Sequence, residues 1–416
     1  MLALTKAEKQ FIQDHINDDV HTLAMKKSQF SSEIRRELVL HQIISRQKSR
    51  GKLDFLYQYE DFIYPKSVSI EQASSELLAR NRAKEFQAKN SIDLTGGMGI
   101  DSIYFSQFNA HHTYVEQDPE LAEIFKHNLE VLGINNCSVL NKDSQELINN
   151  DIHKYDLIYI DPARRNKAGG KTYFLEDTIP NPIDIIQKLK EINYKGQVLI
   201  KASPMLDIYR ATKQLSIPFV NFYNPVDFEM GEVYVIAVQS ECKELLFYIP
   251  FDNKSGDEKY HHQFSDYATA INYEKNVTEK MGFFYHDTCV NYISPILDYL
   301  YEPNAALMKI GFWNTISSRF DLFQLASNSH LFTSMELIED FQGRIFKVIE
   351  AFNPDPQRIK HHFPDRKVNV LKRNYPLSVD EIKKKYKLID GDRDLYLIFT
   401  TLYDGTKQAV ACRRIK

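Results

Sequence analysis

The order of apolar and polar positions changes character near residue 90. Before that point the pattern is helical. Leu38, Ile43 and Ile44 fall at helix-like spacings among Arg35, Arg36, Arg46, Lys48 and Arg50. Thr5-Lys-Ala-Glu8 and Ser69-Ile-Glu-Gln72 both have capping-box form, a hydroxyl residue followed three later by Glu or Gln. No glycine precedes Gly51, as a helical segment prefers, and Pro65 marks a break before the next helix. After residue 90, short apolar runs alternate with amphipathic stretches. SIDLT (Ser91 to Thr95) reads as a strand ending in a glycine turn, with IDSIYFSQF as the helix behind it. HHTYVEQD is a second strand closing on acid. PELAEIFKHNLEVLG is an amphipathic helix with Pro119 at its start and Gly133 at its end. CSVLNKD, YDLIYID and GQVLIKA follow as strands. This alternation predicts an α/β fold built on a parallel, doubly wound sheet.

Beyond this sheet, EVYVIAVQS and ELLFYIP read as an antiparallel hairpin at its edge, and FVNFYN stays open between strand and loop. Residues 251 to about 280 are polar and aperiodic, which suggests a connection. In the last stretch, Ser378-Val-Asp-Glu381 caps a Lys-rich helix. DLYLIFTTLYDGTKQAVACRRI reads as a hairpin turning at Asp404-Gly405, a pair suited to positive φ. The expected division is a helical region at 1–88 and an α/β domain at 89–250. A linker and small α/β region, for which a ferredoxin-like arrangement is one option, takes 251–345. A small α+β unit closes the chain at 346–416.

Composition narrows the class. The 416 residues correspond to two or three domains, and 43% apolar with 26% charged residues excludes a mainly disordered or collagen-like chain. No run approaches the ~18–20 apolar residues of a membrane span, so no membrane partner is expected. MLALTKAEKQF lacks the apolar core and cleavage site of a secretory signal. Cys137, Cys242, Cys289 and Cys412 lie far apart and read as reduced thiols of a cytoplasmic protein. The His pairs at 111/112, 261/262 and 361/362 lack partners at metal-ligand spacing, so no metal is expected. A formal net charge of -4 announces no nucleic-acid partner, which would have to use local basic patches. Clusters at 26–52 and 360–373 either track phosphates or are solvated faces.

DLTGGMGID, Asp93 to Asp101, is the most informative stretch. Gly97 and Gly99 let the backbone turn tightly and approach a ligand. Glu116 closes the second strand about 20 residues on, a spacing that suits a carboxylate gripping ribose hydroxyls. Asp93 and Asp101 flank the turn and would repel a pyrophosphate. They would attract the ammonium and sulfonium of S-adenosylmethionine. Ser102 stands where a dinucleotide fingerprint has its third glycine, so the signs of charge favour S-adenosylmethionine over NAD. Asp143, after the third strand, is placed to accept from an adenine amino group, to cap a helix, or both. With Thr95, Gly96, Gln117 and Ser144 these residues complete the candidate cofactor set.

DLIYIDPARR places Asp161 at the C-terminal end of the fourth strand, the edge where open α/β sheets bind ligands. Pro162 stiffens the turn. Asp161 can accept a hydrogen bond or proton from a nitrogen nucleophile whose lone pair would otherwise delocalise into a ring. The alternative for Asp161 is a turn-forming Asp-Pro. Arg164 and Arg165 suit phosphate or base contacts, or salt bridges with local acids. Lys201, at the fifth strand's C-terminal edge, is a candidate phosphate contact beside Ser203.

EQASSELLARNRAKEF, DLTGGMGID, VEQDPELAEIFKHNLEVLG, IYIDPARR and IKASPMLD together resemble class I S-adenosylmethionine-dependent methyltransferases. More narrowly they are similar to a bacterial subgroup with a C-terminal THUMP-like domain. That domain is matched by KRNYPLSVDEIKKKYKL and the strands after it, and LYEPNAALMKIGF is similar to the linking segment. The resemblance implies a seven-stranded Rossmann-like sheet, S-adenosylmethionine over the first two strand ends, and catalysis at Asp161 and Pro162. The family's Asp/Asn-Pro-Pro-Tyr motif departs here at Ala163 and Arg164, which leaves the methylated atom open. No cysteine stands where pyrimidine C5 chemistry needs one. THUMP domains bind structured RNA, so the resemblance implies tRNA or rRNA methylation at a base nitrogen. A protein or small-molecule methyltransferase, or a non-catalytic RNA-binding module, are the alternatives.

Overall fold

The computed structural model describes residues 3–66, 70–163, 174–217, 231–251, 267–283, 292–391 and 394–416. The chain divides into two compact units. One holds 1–217, 226–231 and 247–256; the other holds 218–225, 232–246 and 257–416.

The first unit opens with helices α1 (Lys6–Asp14), α2 (Val20–Met25), α3 (Arg36–Ser49) and α4 (Glu76–Glu85). The Thr5 capping box forms: Glu8 N–H donates to Thr5 Oγ1 at 3.2 Å, and Thr5 N–H donates to Glu8 Oε2 at 2.9 Å. The second expected box does not start its helix. Ser69 lies outside the described residues, and α4 begins later with Ser75 as its cap. Leu78, Ala79, Arg82 and Ala83 are the buried face that fixes this start.

Several basic residues of 26–52 cross-link the helices, although Arg35, Lys48 and Arg50 remain exposed. Arg35 clamps Glu8 through Nε at 2.8 Å and Nη2 at 2.7 Å. Buried Arg46 donates to the carbonyls of Tyr59, Glu60 and Phe62. Lys48 pairs with Glu71, and Lys52 donates to the carbonyls of Ile70 and Glu71.

The α/β part alternates as expected: β1 (Asn90–Asp93), α5 (Ile100–Phe108), β2 (His111–Glu116), α6 (Pro119–Leu132), β3 (Cys137–Asn141), α7 (Ser144–Asn150), β4 (Leu157–Ile160), α8 (Pro182–Glu191), β5 (Gln197–Ala202) and α9 (Ile208–Leu215). β1 pairs in parallel with β2 and β4, β2 with β3, and β4 with β5. β1 and β4 are buried along nearly their whole length, as strands covered on both faces must be.

Then come β6 (Glu232–Val238), β7 (Glu241–Pro250), β8 (Ala268–Tyr273) and β9 (Thr278–Phe283). Among the described residues the strand order is β3-β2-β1-β4-β5-β7-β6-β8-β9, nine strands against the expected seven. The additions are β8, parallel to β6, and β9, antiparallel to β8. They occupy sequence that read as polar connection, because β8 is built from Ala268, Thr269, Ala270, Ile271 and Asn272, all buried. Small and hydroxyl-bearing side chains fill its faces, so no apolar alternation marks it. FVNFYN lies outside the described residues.

The second unit continues with β10 (Tyr299–Pro303), α10 (Ala305–Ile310), α11 (Trp313–Arg319), β11 (Phe323–Gln324), β12 (Phe332–Ser334), β13 (Gly343–Phe352), α12 (Pro356–His362), β14 (Asn369–Lys372), α13 (Val379–Tyr386), β15 (Leu395–Thr401) and β16 (Lys407–Arg414). These strands form one sheet in the order β11-β12-β10-β13-β16-β15-β14. The Ser378 capping box and the Gly405 turn at φ 84° both form. Trp313 is half-buried and stacks on His330 with ring centroids 4.3 Å apart.

Glu8 has no exposed surface, and its hydrogen bonds from Arg35 hold its carboxyl down at about 2. Glu8→Gln should cost about 1–3 kcal/mol in urea unfolding, since the Arg35 guanidinium loses its charged acceptor. Because the folded pKa lies below the unfolded one, the Glu8 contribution is present above about pH 4.5 and is lost as pH falls toward about 2. The variant should lack that part of the acid transition.

Candidate active site

β1 delivers the chain into a turn that requires glycine. A Cβ on Gly96 would strike the Tyr114 ring, and one on Gly99 would strike the Phe125 ring. Those two rings stack with centroids 3.9 Å apart and so form a floor under the turn. Gly99 caps α5 at φ +79°, a conformation that L side chains avoid. Gly97 is also left-handed at φ +55°, but a Cβ there meets nothing nearer than Thr95 O at 3.7 Å. The backbone is therefore open on the Gly97 side and closed at Gly96 and Gly99.

Glu116, at the end of β2, faces this turn. Its Oε2 accepts from Gly97 N–H and its Oε1 from Asp118 N–H, both at 2.9 Å. The Tyr114 hydroxyl donates to Gly97 O at 2.7 Å. Asn141 Nδ2 donates to the carbonyls of Glu116 and Gln117, which ties β3 to the end of β2. Gln117 is exposed. Asp143 caps α7 by accepting from Gln145 N–H at 2.9 Å, and Ser144 is the buried first residue of that helix.

Asp93 is buried under the turn. It accepts from Thr95 N–H at 2.8 Å, from Thr95 Oγ1 at 3.0 Å and from Ser102 Oγ at 2.9 Å. Burial pushes its carboxyl up to about 7; the Thr95 and Ser102 bonds oppose the rise, and Asp101 adds to it. Asp101 is solved differently. Burial works to raise its pKa, but Arg82 and Lys201 outweigh burial and hold it below the ordinary carboxylate value. Arg82 of α4 pairs with Asp101 Oδ1, while Ser74 Oγ at 2.6 Å and the Tyr159 hydroxyl at 3.1 Å donate to Oδ2. The sequence pattern set Asp101 beside a ligand; the structure commits its charge to an internal ion pair.

Asp161 follows β4. The β4–β5 register aligns Ile160 with Ile200, so Asp161 faces Lys201 across the two strands. Lys201 Nζ donates to Asp161 Oδ2 at 2.6 Å, and Asp161 N–H donates to Thr95 Oγ1 at 2.7 Å. Pro162 is buried. Ala163 pairs with Ile179 through two backbone hydrogen bonds. The Lys201 side chain is 7% exposed and its ammonium is held inside, which does not suit the phosphate contact the sequence suggests. Arg164 and Arg165 lie outside the described residues. Among the described residues no cluster of three or more His, Cys, Asp or Glu is arranged to hold a metal.

Thus Asp93, Thr95, Gly96, Gly97, Gly99, Glu116 and Asp161 meet at adjacent strand ends, while Asp143 and Ser144 stand one strand further out. Ser74, Arg82, Tyr114 and Tyr159 escaped the sequence reading. Ser74 and Arg82 precede β1, where no strand-end rule points. Tyr114 and Tyr159 lie inside strands and read as core.

Residues 43–218 match the model of the family described as conserved hypothetical protein 95. Residues 299–341 match a ferredoxin-like domain and 343–414 a THUMP-like domain. A solved methyltransferase candidate from Porphyromonas gingivalis W83 is 26% identical, with a TM-score of 0.79, covering 99% of this chain and 98% of its own. A cobalt-precorrin-6B C(15)-methyltransferase (decarboxylating) candidate from Sulfolobus acidocaldarius is 20% identical over 154 residues, 34% of this chain and 80% of the relative.

The two left-handed glycines should separate on substitution. Gly99→Ala combines strain with a ring clash and should lower stability by about 2–4 kcal/mol in urea melts. Gly97→Ala carries only the strain and should cost about 1 kcal/mol.

Proposed function

We propose that this chain, a class I S-adenosylmethionine-dependent methyltransferase with a THUMP-like domain, methylates a base nitrogen of structured RNA, either tRNA or rRNA. The observation that carries the reading is Asp161, anchored by its own N–H to Thr95 of the glycine turn. The residue that would hold the nucleophile is thereby fixed to the loop that would hold the donor.

The residues fit the donor. Among the described residues, the ionisable side chains bonded at the turn are acids: Glu116, which accepts from Gly97 N–H, and Asp93 beneath it. Arg82 and Lys201 face Asp101 and Asp161. A diphosphate would meet carboxylates there, whereas an ammonium or sulfonium is attracted. Glu116 is placed for ribose hydroxyls, with Gln117 beside it. Asp143 and Ser144, at the end of β3, are placed for the adenine. Gly97 N–H, now bonded to Glu116, is the backbone group nearest the open side.

When bound, S-adenosylmethionine supplies an electrophilic methyl group. Asp161 accepts a hydrogen bond from the target amine and would take its proton as that nitrogen gains the methyl group, the carbon–sulfur bond breaks and the donor's sulfur leaves as a thioether. Pro162 fixes the following carbonyl, which accepts the second amine hydrogen, so the lone pair points outward. The RNA assignment is supported by the THUMP-like match at 343–414. Arg164 and Arg165, directly after Pro162 and Ala163, suit phosphate contacts.

Incubation with tritiated donor and separate pools of total RNA and total protein tests the substrate class. Label should enter RNA; label entering only protein would overturn the RNA reading. Donor binding should also depend on pH. Burial pushes the Asp93 carboxyl up to about 7, and a cationic ligand favours its ionised form. Below that pH, binding must release a proton, so affinity should fall by up to about tenfold per unit as pH drops from about 7 to about 6. Calorimetry on the wild type should show this slope, and Asp93→Asn should show a flat, weaker profile.

A further inference from the structure

We infer that Ser74 and Lys201 are positioning residues for Asp161, so that the segment before α4 belongs to the active site; this rests on the methyltransferase reading above. The Lys201 ammonium lies 2.6 Å from Asp161 Oδ2, 2.9 Å from Ser74 Oγ and 4.0 Å from Asp101 Oδ2. Ser74 Oγ donates its single hydrogen to Asp101 at 2.6 Å, so toward Lys201 it can only accept. The direction of both bonds is thereby set. Arg82 fixes Asp101 on the other side, inside the core. Arg82, Asp101, Ser74, Lys201 and Asp161 form one chain of alternating charge with the serine as its bridge.

The far end of this chain is the part that meets substrate. The Asp161 side chain is 33% exposed against 7% for Lys201. Held only by its backbone, such a carboxylate turns freely about χ1 and χ2. The lysine pins Oδ2 and leaves Oδ1 as the oxygen that faces the amine. One acceptor then takes one amine hydrogen, and the Pro162 carbonyl takes the other. Ser74 acts a step further back, through Lys201, by keeping the ammonium from swinging toward solvent. The sequence departs from the family motif at Ala163 and Arg164.

The test compares wild type, Ser74→Ala and Ser74→Thr in the full chain. Total RNA and tritiated S-adenosylmethionine are the substrates, and donor affinity is measured by calorimetry. Ser74→Ala should lower kcat about tenfold to a hundredfold, with donor affinity and KM for RNA within about twofold, and Ser74→Thr should recover most of the loss. Unchanged kcat in Ser74→Ala, or equal loss of kcat and donor affinity, overturns the inference. A second readout needs no substrate. With 15N-labelled lysine side chains, wild type should show one ammonium signal protected from solvent exchange that disappears in Lys201→Arg and loses protection in Ser74→Ala. Absence of a Lys201 signal of this kind overturns the inference as well. A wild type that labels no RNA would sink the substrate reading alone, and the ammonium signal would still decide this one.

Discussion

Four carboxylates gather around the glycine turn, three at neighbouring strand ends and Asp101 in the first turn of α5, and a charge drawn out of water is tolerable only when it is answered. The molecule answers each in a different way. Asp101 is met by Arg82, with Ser74 and Tyr159 completing its hydrogen bonds. Asp161 is met by Lys201. Glu116 is met by two backbone N–H groups, from Gly97 and Asp118. Asp93 has hydroxyl and amide donors but no cation among those bonds, and its carboxyl rises to about 7. The glycine turn, the helix packed behind it and the reaction motif are all held by these four solutions.

This unequal treatment has a chemical consequence. Two acids are neutralised by cations from within the protein, which leaves Glu116 and Asp93 as the acids closest to the open backbone at Gly97. Positive charge arriving on a ligand would complete what the protein leaves incomplete at Asp93. The sequence pattern paired Asp93 with Asp101 as the acids flanking the turn. Arg82 and Lys201 answer the Asp101 charge, so the acids left to face a cationic donor there are Asp93 and Glu116.

What could be read from the sequence follows from what is local. The glycine turn, Glu116 and Asp161 sit at strand ends, and strand ends can be found from apolar runs and the residues that stop them. Thr5 and Ser378 could be read because a capping box closes within four residues. Arg82 and Ser74 could not, since their partners Asp101 and Lys201 lie 19 and 127 residues away in the chain. For the same reason the partners of Arg35, Arg46 and Lys48 in the basic cluster at 26–52 could not be read: Glu8, Phe62 and Glu71 reach them only in the fold. β8 stayed hidden for a different reason. A strand buried on both faces needs no alternation, and small residues give it no apolar run.

The deepest coupling in the site runs through one hydroxyl. Thr95 Oγ1 donates to Asp93 Oδ1 at 3.0 Å and accepts from Asp161 N–H at 2.7 Å. A hydroxyl has one hydrogen, so these two bonds impose a direction: the Asp93 carboxylate orients Thr95, and Thr95 then holds the backbone of Asp161. The side chain of Asp161 is held separately, from β5, by Lys201. Backbone and carboxylate of the same residue are thus tied to the turn after β1 and to β5, the two neighbours of β4. Motion of Asp161 in either direction along the sheet breaks one of the two ties. A residue held from both sides in this way can present its remaining oxygen at a fixed place beside the glycine turn, as transfer of a methyl group between two bound molecules requires.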